Sequence, residues 1–157
     1  GEVRAVCDAT LYHDTFSRHV DVLGAGAYYV PDGFALPRDL RTPVRPVREL
    51  AAVLGGDFGI LPLHGCPRMS EFVFLHRPSR TLVVCDLVFH IGPEADFWTR
   101  FFFRYGNRAY GRPSMTRIFR MGIRDRQAFE RSMEEILAWD FDTLIMGHGR
   151  VVMSGGK

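Results

Sequence analysis

The chain has 157 residues, 46% of them hydrophobic and 24% charged, and a formal net charge of +2 at pH 7, a length that holds one domain, 1–157, with a real apolar core and leaves too little for a second. Mild basicity does not by itself demand nucleic acid or an anionic membrane as partner, and no apolar run approaches the roughly 20 residues that span a bilayer, so no membrane is expected. Cys7, Cys66 and Cys85 form neither a disulfide framework nor a zinc-knuckle pair, which points to the cytoplasm or another reducing compartment.

Residues 2–7 alternate and then turn apolar through Val3, Ala5 and Val6, predicting a first strand that ends near Asp8. No charged-then-apolar leader precedes it, although an opening on a strand at Gly1 leaves room for an earlier start of the native chain. A loop then carries His13, a short helix is expected over 14–23, and a second strand over 27–30 closes on Pro31-Asp32-Gly33. The proline-rich stretch 37–46 reads as loop. Val47, Leu50, Ala51 and Leu54 stand at helical spacing before Gly55-Gly56, a helix and its stop. Strands are expected over 58–63, 71–75 and 81–89, the last two joined as a hairpin by Arg77-Pro78-Ser79-Arg80.

Helices over 97–104 and 114–121 come next. The clearest helix runs from an Asp125 N-cap to Trp139, with Phe129, Met133, Ile136 and Leu137 as its apolar face. Strands over 143–146 and 151–153 complete the series, which predicts layered α/β architecture around a partly buried sheet.

Three apolar strands lead to a side chain able to bind metal: 3–7 to His13, 82–85 to Asp86, and 144–147 to His148. Strand carboxyl ends are where sites assemble in open α/β sheets, and two imidazoles with a carboxylate make a partial zinc set that leaves room for water or substrate. Glycines on both sides of His148 permit a sharp turn there. Asp86, directly after four apolar residues, would be costly to bury without a metal, an arginine or backbone donors. An ion pair with Arg77 or Arg80 is the alternative for it.

The run from Glu71 to Phe89 with its His-Arg-Pro-Ser-Arg-Thr-Leu turn, the later Met146-Gly147-His148-Gly149, and the opening Val3-Arg4-Ala5-Val6 with His13 together resemble the metallo-β-lactamase superfamily. More narrowly they resemble an uncharacterised branch of it, a domain-of-unknown-function family that shares this strand-turn-strand. The resemblance implies an αββα sandwich, either truncated at the N-terminal strand pair or built on a smaller sheet, because the usual strand pair with its Asp-x-Gly turn is missing ahead of 3–7.

In the superfamily's catalytic members a His-x-His-x-Asp-His signature follows an early strand. Its place is taken here by Asp8-Ala9-Thr10-Leu11-Tyr12-His13, which keeps only the last histidine in register. Asp86 matches the family's bridging aspartate and His148 its final histidine, whereas the separate histidine falls near Arg68, with His64 and His76 displaced. The resemblance therefore implies a reduced site holding one ion, zinc or iron, on His13, Asp86 and His148. Asp86 and Asp8 are the catalytic candidates, Asp8 as fourth ligand or general base. The implied activity is metal-dependent hydrolysis of an ester, amide or phosphoester, with a catalytically silent descendant as the other outcome.

Cys85, beside Asp86, is a candidate metal ligand or redox thiol, with a buried strand cysteine turned by alternation to the opposite face as the favoured reading; His90 could extend the site, with the cap of a strand end at the surface as its favoured reading. Residues 100–126 interleave arginines 100, 104, 108, 112, 117, 120, 124 and 126 with aromatic residues. This pattern supports a second expectation, a non-catalytic domain binding nucleic acid or a phosphorylated ligand. Against it stand Glu94, Asp96, Asp125, Glu130, Glu134 and Glu135, which offer partners to those arginines. The segment also lies between Asp86 and His148, where it would lid the site and favour a small anionic substrate.

Overall fold

The computed structural model describes residues 2–13 and 16–157. It is a mixed α/β fold whose strands form three sheets. Strand β1 (Ala5–Cys7) pairs in parallel with β2 (Ala27–Val30), which pairs in parallel with β3 (Val44–Pro46). Strands β4 (Phe58–Pro62), β5 (Phe72–His76) and β6 (Thr81–Val83) form an antiparallel meander, joined at the β6 edge by the parallel strand β8 (Thr143–Ile145). A third sheet holds only β7 (Phe89–His90) and β9 (His148–Gly149), in parallel.

Alternation explains how the sheets stack. Every residue of β2 is buried, as expected of a parallel strand covered on both faces. Tyr28 and Val30 turn outward onto Val20 and Phe34, while Ala27 and Tyr29 turn inward with Val47 and Leu50 onto Ile60, Phe72 and Phe74 of the meander. The opposite parity of the meander, Leu61, Val73, Leu75 and Leu82 with Leu144 of β8, meets Phe119, Phe129 and Ile136. The layers therefore run from a 3-10 helix, Ser17–Leu23, through two sheets to the helical side. The main helix of that side is α4 (Arg126–Ala138), after α1 (Leu50–Leu54), α2 (Phe97–Phe101) and α3 (Arg117–Met121). No helix among the described residues is long and apolar enough to cross a membrane.

The N-cap that the sequence predicts for α4 is present. Asp125 accepts the backbone N–H of Ala128 at 3.0 Å at the start of α4. On α4 the buried positions are Phe129, Ser132 and Ile136, whereas Leu137 is exposed. Ser132 takes that place because its hydroxyl returns to the Ala128 carbonyl and accepts His64 N–H, so no polar group is stranded.

The structure corrects several element boundaries. The loop expected over 37–46 contains β3, because Tyr28 and Val30 leave an edge that Val44 and Pro46 can pair. The strand expected over 81–89 stops at Val83, and the chain bends through 85–87 before β7. Of 151–153 only Val152 pairs, as a bridge to Leu144. The helix expected over 97–104 ends at Phe101 and continues as one π turn, Phe102–Gly106. The expectation over 14–23 is met by the 3-10 turn, and its first two residues lie outside those described.

Candidate metal centre

Asp86 sits in the bend after β6 and is 7% exposed. Its carboxylate has no arginine partner among the described residues: Arg80 pairs instead with Asp140 at 2.7 Å, and Arg77 takes no acid. The ion pair expected as an alternative for Asp86 is thus absent. Two imidazoles face it. His13 Nε2 lies 3.1 Å from Oδ1 and 3.2 Å from Oδ2, and His148 Nε2 lies 3.1 Å from Oδ1. The sequence candidates His13, Asp86 and His148, drawn from segments 73 and 62 residues away from Asp86, therefore converge. The two histidine rings stand 5.2 Å apart.

Asp86 and His148 are held by separate devices. The backbone N–H groups of Cys85 and Asp86 donate to the two carboxylate oxygens of Glu71, at 2.8 and 3.1 Å. Glu71 is itself 1% exposed. Burial pushes its carboxyl up to about 7; donation from the N–H groups of Cys85, Leu87 and Asp86 opposes the rise, and the nearby Asp86 charge adds to it. Sequence reasoning missed this residue, which acts on the site only through the backbone of the bend. A glutamate opening an otherwise apolar strand was the available signal.

His148 is fixed by the short third sheet. It stands opposite Phe89 in the β7–β9 register, and the two rings stack at 4.4 Å and 12°. Gly149 makes that pairing possible: its φ is +101°, and a Cβ there would lie 2.1 Å from the His90 carbonyl oxygen.

Cys85 departs from the reading of the sequence. Ligand atoms of His13, Cys85 and Asp86 all lie within 4.8 Å of one another. The strand has already ended at Val83, so the alternation that would turn Cys85 away from Asp86 no longer holds at the bend. Burial, with the charges of Asp86, Glu71 and Asp8, pushes its thiol up to about 12. A cation beside it would reverse that preference and hold the thiolate.

Asp8, the other catalytic candidate, stands outside this group. Its carboxylate accepts the hydroxyl of the fully buried Tyr28, and its charge reaches Cys85. His76 Nδ1 is engaged with Ser79 in the hairpin turn at 2.7 Å. His90 lies in β7 with Nδ1 buried and without a hydrogen-bond partner, so it is part of the sheet beside His148 rather than a strand-end cap at the surface. The three cysteines are free thiols.

The group His13, Cys85 and Asp86, with ligand atoms within 4.8 Å of one another, has the donors to hold one ion, and His148 stands outside that group, touching it through Asp86 Oδ1 at 3.1 Å. Ligand atoms about 2.0–2.3 Å from a tetrahedral ion stand roughly 3.3–3.8 Å apart, so the spacings of 3.1 and 3.2 Å around Asp86 require only small adjustment. Imidazole, carboxylate and thiolate together suit zinc or iron rather than magnesium or calcium. A cleft of about 560 Å³ opens beside the carboxylate, walled by Tyr12, Phe89, Phe103 and Phe119 and edged by Arg68 and Arg124. No family model and no curated protein matches this chain.

Proposed function

We propose that this protein is a metal-dependent hydrolase of metallo-β-lactamase-like fold with a single-ion centre. His13, Asp86 and His148 hold the ion, with Cys85, whose Sγ lies within 4.8 Å of the ligand atoms of His13 and Asp86, as a further donor. The observation that carries the reading is the pair of imidazoles on one buried carboxylate, a carboxylate costly to bury and without an arginine to balance it among the described residues. Two face-to-face sheets with helix outside each support the fold part of the reading.

Zinc or iron bound there would supply Lewis acidity and bring the pKa of a water towards neutrality, the requirement for hydrolysing an ester, amide or phosphoester. The protein's own groups do the rest. Glu71 fixes the bend that carries Asp86, and Phe89 fixes the plane of His148. The aromatic walls of the cleft exclude water and seat an apolar body, while Arg68 and Arg124 attract an anionic group on it.

Elemental analysis of protein purified without added metal tests this directly. About one zinc or iron per chain is expected in the wild type, and loss of it in Asp86→Ala and Asp86→Asn, with circular dichroism confirming that both variants fold. Full metal stoichiometry in both folded variants, or a wild type that takes up no zinc on reconstitution, would sink the assignment. Chelation should then abolish turnover of aryl esters or phosphoesters by the wild type.

A further inference from the structure

From residue 97 to residue 124 the sequence carries seven arginines and neither aspartate nor glutamate. Elsewhere in the fold arginines find acids: Arg48 pairs with Asp32, Arg80 with Asp140, Arg126 with Glu130 and Arg150 with Glu94. Of the six carboxylates expected to neutralise the arginine-rich segment, Glu130 and Glu94 are paired and Asp96 and Asp125 are helix caps, while Glu134 and Glu135 pair with none of its arginines among the described residues. Among the described residues Arg108, Arg112, Arg117 and Arg120 have no acid partner. These four line one concavity of about 430 Å³ together with Ser114 and Met115.

The frame beneath them is rigid. Asn107 is buried; its N–H donates to the Phe102 carbonyl at 2.9 Å, its carbonyl accepts Arg117 N–H at 3.2 Å, and its side chain accepts Ile118 N–H at 3.1 Å. One residue thus ties the turn carrying Arg108 to the start of α3, which carries Arg117 and Arg120. Arg108 itself is held at φ +57° between buried Asn107 and buried Ala109, a conformation that a β-carbon disfavours. The four exposed arginines therefore rise from fixed backbone positions around one hollow. An anion placed among them removes their mutual repulsion and collects charge-assisted, bidentate hydrogen bonds.

We propose that this concavity binds a small molecule carrying two or three linked phosphate groups. A terminal phosphate brings up to roughly −1.5 to −2 charges at neutral pH and a bridging one about −1, so two or three linked phosphates carry a charge comparable with that of four guanidinium groups. The lining contains no aromatic ring, and this favours a compact phosphorylated ligand over single-stranded nucleic acid, which relies on base stacking as well as charge. The site is distinct from the metal centre: neither His13, Asp86 nor His148 lines it.

Titration calorimetry of the full chain with sodium tripolyphosphate at low ionic strength is the test, using wild type, Arg117→Ala/Arg120→Ala and Asp86→Ala. Arg117 and Arg120 are exposed, so the double variant should fold and keep the metal content of the wild type. One equivalent is expected to bind wild type and Asp86→Ala alike, to weaken as salt is raised, and to lose on the order of tenfold or more in affinity in the double variant. Equal affinity in the double variant would overturn the proposal. So would loss of binding in Asp86→Ala alone, which would mean that tripolyphosphate is chelated at the metal centre. Absence of tripolyphosphate binding overturns it as well, and a single-stranded RNA oligonucleotide binding in its stead would identify a nucleic-acid surface.

Discussion

Glu71 is a carboxyl group with about 1% exposure and two backbone N–H donors, and its proton should make the stability of the whole fold depend on pH. Its usual value of 4.5 applies to the unfolded chain, and burial raises it to about 7 in the native state. Between those two values the native protein retains a proton that the unfolded chain has released. Stability is then greatest below the unfolded value, falls as pH rises through the window, and levels off above the folded value. At about 1.36 kcal/mol for each pH unit of the shift, the loss amounts to roughly 3 kcal/mol. Exposure this low leaves little solvent to screen the charge, so most of that loss should be observable.

Urea unfolding followed through Trp139, which packs on the main core, would measure this at several pH values from 4.5 to 8. A chelator should be present so that the carboxyl titrates against the protein's own groups. Glu71→Gln keeps the shape and one acceptor oxygen while removing the titrating proton, so the wild-type free energy should fall by roughly 3 kcal/mol relative to the variant across that range. Subtracting the two curves cancels the groups that titrate alike in both proteins. Parallel curves would refute the reasoning, because they would mean that Glu71 ionises in the fold as readily as in water.

Two further substitutions probe the backbone beneath the two sites. Gly149→Ala drives a Cβ to 2.1 Å from the His90 carbonyl oxygen at φ +101°, so the β7–β9 pairing should open and His148 should leave Asp86; metal stoichiometry should fall well below that of the wild type, and an unchanged value would argue that His148 is no ligand. Arg108→Gly releases a left-handed residue at φ +57° and should raise stability by about 1 kcal/mol, while weakening tripolyphosphate binding; calorimetric melting and titration of the same sample check both halves.

Much of the candidate metal centre was legible because its members interrupt apolar runs. Asp86 follows Leu82, Val83, Val84 and Cys85, and His148 follows Leu144, Ile145 and Met146, so a local pattern was enough to single them out and strand ends brought them together. The device that holds them was less legible. Glu71 acts across the hairpin on backbone N–H groups, and such partners leave no trace in residue type. Cys85 was misassigned because alternation was extended past Val83, where the strand stops. The strands that were missed or shortened, β3, β7 and β9, span three residues or fewer, and their pairing depends on edges supplied by distant parts of the chain rather than on local propensity.

The two proposed sites make opposite demands on the same segment. Residues that wall the metal cleft, Phe103 and Phe119 among them, must present apolar surface, whereas Arg108, Arg112, Arg117 and Arg120 must present charge. Helix α3 meets both by dividing its sides: Phe119 is buried beneath the cleft, while Arg117 and Arg120 point into the arginine-lined hollow. Met121, at its end, lines both concavities. A methionine suits that place, because its unbranched thioether adapts to either occupant without adding charge. The absence of acids from 97 to 124 then has a physical sense, since a single carboxylate there would cancel the positive hollow and also compete with Asp86 for a cation.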